Sequence, residues 1–477
     1  MLISSGVIFW LHGAAAPPYI ACCLILALPL VLTPTNHPYR FYILIATISL
    51  YLSYLLRPIV LLWDLDFYKY DLVGTITAPE LIERLWELIP LFTCYLIGGL
   101  SCVLLIRPTI RPFVALGDDS DTSPVSIIMS SRKWLVILAW IVLAANIGLA
   151  LFFNIGVKNV EATAPQLQVI SRMFPQLLFT AGCIALISLY RKKLDSMTIT
   201  LLVLFLIGAG FYELLIKGSK AGLAFIFFSF FTIHIVRFND FSMRTRGVLF
   251  LGTTSTVCLL VAFSLSNVVR YGDTEEGLLN RAGNALTQYS GEVDIFDSMD
   301  AFTGRMCGFD GQLVVQKQRP IKLRKAFQIP NILRNAVARA VPGMNPGSIT
   351  TGKAIAVHYQ GASKHARFSG GVGIFGTFSL IAYGKEWLGA LLLGFLLGLV
   401  FRILHFVEDP GIFLILQVIF FYFFIQLIIS GGIGHALGNS MIILAQCFIL
   451  AVLLKLFAGG VGYRDAKNIQ QVRHRFQ

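Results

Sequence analysis

Long apolar runs separated by short polar connections dominate the chain. Eleven of these runs approach or exceed the roughly 20 apolar residues that cross the hydrocarbon core of a bilayer. Because the runs are continuous rather than alternating, they predict transmembrane helices and not barrel strands. The predicted spans are residues 19–35, 41–62, 85–106, 133–154, 173–190, 196–216, 219–236, 247–266, 385–405, 411–430 and 436–457.

Two shorter segments leave the number of spans open. Residues 1–16 are apolar enough for a weak extra span. Residues 369–384 are rich in glycine, and we interpret them as a re-entrant or interfacial element. Backbone that is not helical is tolerated at membrane depth where it packs against protein. A full span there would also place the basic C-terminal tail on the opposite face.

Composition supports the same fold class, an all-α polytopic membrane protein. Of 477 residues, 56% are hydrophobic and only 13% are charged, and the mean hydropathy is +0.75. The net charge of +13 is explained by basic residues beside the spans, so it does not indicate a nucleic-acid partner. Seven of the eight cysteines lie inside apolar runs, which gives no disulfide framework and no zinc pattern.

The short connections predict the orientation. Lysine and arginine are concentrated at 107–111, 132–133, 191–193, 237–246 and in the tail, and the side richer in these residues is the cytoplasm. The N-terminus is then periplasmic and the C-terminus cytoplasmic. The chain divides into spans one to eight (1–266), a large periplasmic loop (267–384), spans nine to eleven (385–457) and a cytoplasmic tail (458–477).

The large loop is divided by charge. Its acidic residues all lie before Gly311, and ten basic residues follow between Gly311 and Gly384 without one acid. One interpretation is a solvated face near anionic lipid headgroups. The other is a cradle for phosphate or an acidic sugar, since both cations neutralise phosphate and arginine grips it with two hydrogen bonds.

Three further cations are predicted at the same membrane level. Lys217 and Lys220 lie in the short connection after span six, and Arg270 lies just outside span eight. A lipid-linked pyrophosphate would hold its charge at this level. Glu213 stands four residues before Lys217, and we expect it to balance that lysine as an i, i+4 pair rather than to act in catalysis.

The order of these features resembles a known family. GSKAGLAFIFFSFF follows a span, VVRYG follows the next, and the large loop contains AVPGMNPGSITTGKAIAVHY and the glycine-rich FSGGVGIFGTFSLIAYG. This layout, over most of residues 200–457, is similar to that of the Wzy-type oligosaccharide repeat-unit polymerases of O-antigen, enterobacterial common antigen and capsule synthesis. The family commonly has arginine where Lys220 stands, so lysine keeps the charge and loses the two-pronged geometry. Arg270 matches the arginine of the family's K/R-x-Y-G motif.

The resemblance implies a metal-independent glycosyltransferase of the bacterial inner membrane with a fold like the GT-C helical glycosyltransferases and no cofactor. Its substrates would be oligosaccharides linked to undecaprenyl pyrophosphate, and a growing glycan would be moved en bloc onto a new lipid-linked repeat unit at the periplasmic face. A chain-length co-polymerase and the pathway flippase are the expected protein partners.

Cleavage of a sugar–phosphate bond requires cations that stabilise the departing pyrophosphate and a base near the attacking hydroxyl. Arg270 and Lys220 are the predicted catalytic cations. The base stays open among Glu292, Asp294 and His435. The predicted substrate-binding residues are Lys217, Arg334, Arg339, Lys353 and His358.

Two alternatives stay open. An O-antigen ligase uses the same donor but transfers it to a lipid A core. A lipid-linked oligosaccharide flippase transports the donor without breaking a bond, and it needs charges buried within its spans. Few ionisable residues lie deep in the predicted spans, chiefly Arg57 and Glu213, and this favours chemistry at the outer face.

Overall fold

The chain forms a polytopic helical membrane protein. The computed structural model describes residues 2–33, 39–65, 75–105, 127–155, 176–217, 308–317, 327–340, 351–359, 372–382, 384–404 and 409–475, with some isolated positions between them. Every regular element in these ranges is helical. Eight helical stretches among them are long and apolar enough to cross a membrane: Gly13–Leu32, Ile43–Trp63, Ala78–Cys102, Arg132–Phe153, Ser196–Ile216, Glu386–Leu404, Gly411–Ile428 and Ala436–Leu454.

The described α-helices are numbered here in chain order. They are α1 (Leu2–Leu11), α2 (Ala16–Leu32), α3 (Tyr39–Leu50), α4 (Leu56–Trp63), α5 (Ala78–Leu105), α6 (Ile127–Ser130), α7 (Arg132–Phe153), α8 (Gln176–Tyr190), α9 (Ser196–Phe211), α10 (Gly308–Lys317), α11 (Ile329–Ala340), α12 (Thr351–Tyr359), α13 (Gly373–Ile381), α14 (Glu386–Leu404), α15 (Pro410–Ser430) and α16 (Ile433–Arg475). A π-helical turn, Tyr51–Leu55, joins α3 to α4, and a second one, Tyr212–Ile216, extends α9.

Eight of the eleven predicted spans are confirmed as helices of sufficient length and hydropathy. The predicted span 173–190 corresponds to α8, of which 15 residues are described. The predicted spans 219–236 and 247–266 lie mostly outside the described residues, so the total of eleven stays a prediction. The chain divides into two compact units. The first contains Met1–Pro112, Asp294–His405 and Phe421–Met441, and the second contains Phe113–Val293, Phe406–Phe420 and Ile442–Gln477.

In the first unit, α5 and α14 pack at very short distance and run in the same direction. Gly98 of α5 lies against the carbonyl of Leu391, and Gly394 of α14 lies against the carbonyl of Tyr95. Toward the starts of both helices, Phe92 of α5 lies 5.9 Å from Phe375 of α13, measured between ring centroids, and Gly389 of α14 packs on Phe378 of the same short helix. The two helices therefore start at the same end of the first unit.

Exposed tryptophans lie near the end of α4 and toward the starts of α5 and α14. Trp63 ends α4 and lies 6.4 Å from Trp10, measured between ring centroids. Trp387 is the second residue of α14, Trp86 lies in the third turn of α5, and all four side chains are exposed. Tryptophan is enriched at the membrane–water interface because its ring is apolar and its N–H is polar.

Two short helices, α10 and α13, are buried in the first unit. All residues of α10 from Gly308 to Val315 are buried, as is most of α13. The helices touch where Gly308 meets Gly373, whose φ of +68° favours glycine. Tyr54 lies at this crossing, and its hydroxyl accepts a 2.9 Å hydrogen bond from the backbone N–H of Phe375.

Two segments of the predicted outer loop 267–384 are thus buried helices of the first unit. With nine residues, α13 is too short to span a bilayer. The assignment of 267–384 to a periplasmic loop with a re-entrant or interfacial element at 369–384 stays a prediction. The burial of α10 was not predicted at all.

In the second unit, α7, α8 and α9 pack together. Most residues of α8 are buried on all sides, and Gly182 at its centre contacts Leu135 of α7 and Ile415 of α15. A sharp turn joins α8 to α9, where the Asp195 carboxylate accepts hydrogen bonds from the backbone N–H (2.9 Å) and hydroxyl (2.7 Å) of Thr198. Such a cap fixes the first turn of α9.

Candidate functional site

Among the described residues, an ion pair lies beside a π-helical turn in each unit. In the first unit, Arg57 follows the turn Tyr51–Leu55, and its Nε lies 3.1 Å from both carboxylate oxygens of Asp310 on α10. Neither side chain has any solvent exposure. Arg57 lies six residues before Trp63, which places it about 9 Å inside the end of the helix at 1.5 Å per residue. The pair therefore joins a transmembrane helix to a segment that the sequence assigned to the outer loop.

Further polar contacts continue from this pair toward the end of α10. The Gln316 amide donates a 2.7 Å hydrogen bond to Glu87 of α5, which is also ion-paired with Arg84. Lys317 forms a 2.8 Å ion pair with Glu80, and it donates to the Thr75 carbonyl at 2.7 Å. One of the ten basic residues of the loop is thus neutralised by an acid from α5, so Lys317 is not available as part of a basic cradle.

Gln312 lies in the middle of these contacts without a partner. Its side chain is fully buried, and within the described part of the chain neither of its amide atoms has a hydrogen-bond partner. An unpaired buried amide destabilises a protein by about 1–3 kcal/mol. The polar contacts along α10 therefore mainly hold this helix in place, whereas the unpaired amide of Gln312 lowers the stability of the folded protein.

In the second unit, the predicted pair of Glu213 and Lys217 is confirmed. The Lys217 ammonium donates a 2.9 Å hydrogen bond to Glu213, whose side chain is nearly buried, while the lysine side chain is 30% exposed. The same ammonium lies 5.7 Å from the centroid of the Tyr212 ring, within reach of a cation–π contact. An ammonium has three donors, so the pair with Glu213 leaves Lys217 able to bind a second acceptor.

The electrostatic environment keeps Lys217 charged. Burial lowers the pKa of its ammonium, but the charge and hydrogen bond of Glu213 act in the opposite direction, and the resulting pKa lies above the ordinary value. Gly222 packs directly onto the Glu213 side chain, where a Cβ atom would overlap it. The carboxylate is thus held in position from one side by glycine and from the other by lysine.

An apolar groove in the second unit runs along α9 and the π-helical turn that extends it. Its cavity volume is about 480 Å³, and its lining residues are Ile187, Val203, Leu206, Ile207, Gly210, Phe211, Leu214, Ile226 and Phe230. Val203, Ile207 and Phe211 are exposed, so the groove opens to the outside of the helices. Lys217 lies three residues, about one turn, beyond Leu214. An amphiphile with an apolar chain and an anionic head matches this combination.

The other predicted site residues are only partly described. Arg334 is exposed on α11, and His358 is half-buried on α12 with its ring 5.0 Å from that of Tyr359. Arg339 belongs to α11, Lys353 to α12 and His435 to α16, but their side chains are not described. Lys220, Arg270, Glu292 and Asp294 lie outside the described residues. The predicted convergence of these groups around one pyrophosphate stays a prediction.

Sequence reasoning identified Arg57 and Glu213 as deep charges but missed Asp310 as the partner of Arg57. A signal was present, since an ionisable residue inside a span almost always pairs with another polar group of the protein.

The sequence matches no protein-family model, no curated protein and no solved structure.

Proposed function

We propose that the protein is a bacterial inner-membrane enzyme that polymerises oligosaccharide repeat units carried on undecaprenyl pyrophosphate. The growing glycan leaves its lipid carrier and joins a new lipid-linked repeat unit at the periplasmic face. The observation that carries this proposal is the apolar groove along α9, whose lining includes Leu214, three residues before Lys217 of the Glu213–Lys217 pair. The sequence resemblance to repeat-unit polymerases supports it independently.

The groove and the lysine suit the two ends of such a substrate. A polyisoprenyl tail has no polar atoms, and lining atoms that are almost wholly apolar bury it without unpaired polar groups. The phosphate next to the tail then lies at the level of Lys217, where a charge-assisted hydrogen bond from the ammonium stabilises it. Glu213 already accepts one hydrogen bond from the Lys217 ammonium, so an anionic ligand must reach the donors that remain. This requirement makes the lysine selective among anions.

The reaction itself is assigned to residues predicted from sequence. Arg270 and Lys220 stabilise the negative charge that develops on the pyrophosphate as the glycosidic bond to it breaks. A base among Glu292, Asp294 and His435 removes the proton from the attacking sugar hydroxyl. Arg339, Lys353 and His358 are substrate-binding in this proposal, and a chain-length co-polymerase and a flippase act with the enzyme.

The proposal is tested with the purified protein in liposomes that contain lipid-linked repeat units and EDTA. A ladder of products that differ by one repeat unit is the expected result. A single transfer to a lipid A core would indicate the ligase instead. Movement of the intact donor across the bilayer with no new glycosidic bond would indicate the flippase.

Two variants test the groove in the same assay. Val203→Trp fills the groove from its exposed edge, and we expect the KM for the lipid-linked donor to rise. Ile141→Trp, at another exposed position of the second unit, is the matched control and should behave as wild type. Lys217→Arg should retain more activity than Lys217→Ala, and equal activity of Lys217→Ala and wild type would remove this lysine from the site.

A further inference from the structure

The exposed face of α11 is apolar, although the helix belongs to a segment predicted to lie outside the membrane. Ile329, Leu333 and Val337 recur every four residues and are 63%, 51% and 36% exposed. Residues at this spacing lie on one face of a helix. Arg334 lies beside this stripe, and its side chain is exposed.

The opposite face of α11 packs on the start of a transmembrane helix. A Cβ atom placed on Gly434 would lie 2.9 Å from the carbonyl oxygen of Ile332 and 3.5 Å from the Cβ atom of Asn335, so the two helices are in close contact there. Gly434 precedes the candidate span Ala436–Leu454 by two residues, so α11 lies at the level where that span enters the membrane. Leu437 and Met441, in the first turns of the span, are also exposed. The stripe of α11 therefore lies beside the first turns of this candidate span.

We infer that α11 is an interfacial helix that inserts its Ile329–Leu333–Val337 stripe into the bilayer surface and binds the phosphate of an anionic bilayer lipid through Arg334. Helices of this kind bury an apolar face to the boundary between headgroups and acyl chains, and basic residues beside that face attract anionic lipids. The inference does not depend on the proposed function.

Charge complementarity favours lipid over a second protein as the occupant. No acidic residue occurs between Gly311 and Gly384, and ten basic residues do. An arginine beside an apolar stripe can extend its alkyl chain along the lipid and hold its guanidinium among the headgroups. Of the two interpretations of the basic half-loop, the structure thus assigns the exposed arginine of α11 to the membrane surface.

Insertion is tested with the full protein in nanodiscs. An environment-sensitive NBD dye is attached to Leu333→Cys, with Gln328→Cys, an exposed polar position just before α11, as the matched control. Labelled wild type gives the background from native cysteines. We expect a blue-shifted emission from position 333 that iodide in water quenches poorly, and ready iodide quenching at position 328. Equal iodide quenching at both positions would overturn the inference.

Lipid binding is tested by counting phosphatidylglycerol molecules retained on the protein by native mass spectrometry. Arg334→Gln should weaken retention about fivefold, the effect of one basic residue near an anionic surface, and Arg334→Lys should restore most of it. Unchanged retention in Arg334→Gln would remove the arginine from the lipid contact.

A third measurement separates bilayer lipid from a lipid-linked pyrophosphate as the source of the phosphate. Farnesyl pyrophosphate is titrated into wild type and Arg334→Gln in phosphatidylcholine nanodiscs. Equal affinity is expected if Arg334 contacts the bilayer. A loss of affinity in Arg334→Gln would place the arginine in the substrate site and overturn the inference, while leaving the proposed function intact.

Discussion

The two ion pairs beside the π-helical turns differ in how far their partners lie apart in the sequence. Arg57 and Asp310 are 253 residues apart and have no solvent exposure, whereas Glu213 and Lys217 are four residues apart and the lysine is partly exposed. A π-helical turn adds one residue to a helix and is frequent at functional sites. The same local feature therefore occurs twice, once beside a pair buried in the core and once beside an open groove that its Leu214 helps to line.

This difference has an energetic consequence. A fully buried pair repays its desolvation only when its geometry is good and its remaining hydrogen-bonding groups are satisfied, and removal of one partner leaves a bare charge in the core. A pair with an exposed lysine costs less to break, because water replaces the lost partner. The first pair is thus suited to holding α10 in place, and the second to holding Lys217 where it can bind a ligand as a second acceptor.

The largest expected effect comes from breaking the buried pair. Asp310→Asn removes the charge that compensates Arg57, and we expect the free energy of unfolding to fall by about 3–5 kcal/mol. Thermal and denaturant unfolding in detergent micelles measures the change. The double variant Arg57→Met/Asp310→Leu should recover most of the stability. A single variant as stable as wild type would show that the pair does not hold the core.

The next effect concerns the second pair. Gly222→Ala places a methyl group where the Glu213 side chain lies, and overpacking of this kind costs about 1–3 kcal/mol. We expect Glu213 to move away from Lys217, with a loss of polymerisation in the liposome assay. Gly148→Ala, in α7 with open space around the glycine, is the control and should retain full activity. Full activity in Gly222→Ala would indicate that the pair is not needed in this geometry.

Variants at Gln312 and Gln316 test how the polar side chains of α10 contribute to the stability of the protein. Gln312→Leu removes the unpaired amide, so we expect the protein to become about 1 kcal/mol more stable. Gln316→Leu on the same helix breaks the hydrogen bond to Glu87 and should lower stability by a similar amount. Denaturant unfolding compares the two variants. Lower stability of Gln312→Leu would mean that a bound polar group, such as an internal water, uses the amide.

The smallest effect is expected at the exposed cap of α9. The hydrogen bonds from Thr198 hold the pKa of Asp195 below its ordinary value. A carboxyl with a depressed folded pKa stabilises the protein above its unfolded pKa and loses that contribution as the pH falls through the folded value. The thermal stability of wild type should therefore fall more steeply below about pH 4 than that of Asp195→Asn. Parallel pH profiles would contradict this role of the cap.

Much of the fold could be predicted from local pattern. Eight of the eleven predicted spans have the required length and hydropathy, because about 20 apolar residues in a row have few alternatives to a membrane helix. The Glu213–Lys217 pair was predicted for the same reason, since residues four apart in a helix are neighbours whatever the rest of the chain does.

The burial of α10 and its contact with Arg57 could not be read from the sequence. α10 contains Asp310, Gln312 and Lys317, so its composition resembles that of a solvated loop, and only the arrangement of α4, α5 and α13 around it supplies partners. The same holds for α11, where the apolar stripe is visible in the sequence but its outward direction follows from the packing of Ile332 on Gly434. The sequence by itself thus determined the helices, the membrane class and the local ion pair, which depend on neighbours a few residues away. The tertiary structure alone decided which polar residues are buried together, because that depends on contacts between segments hundreds of residues apart.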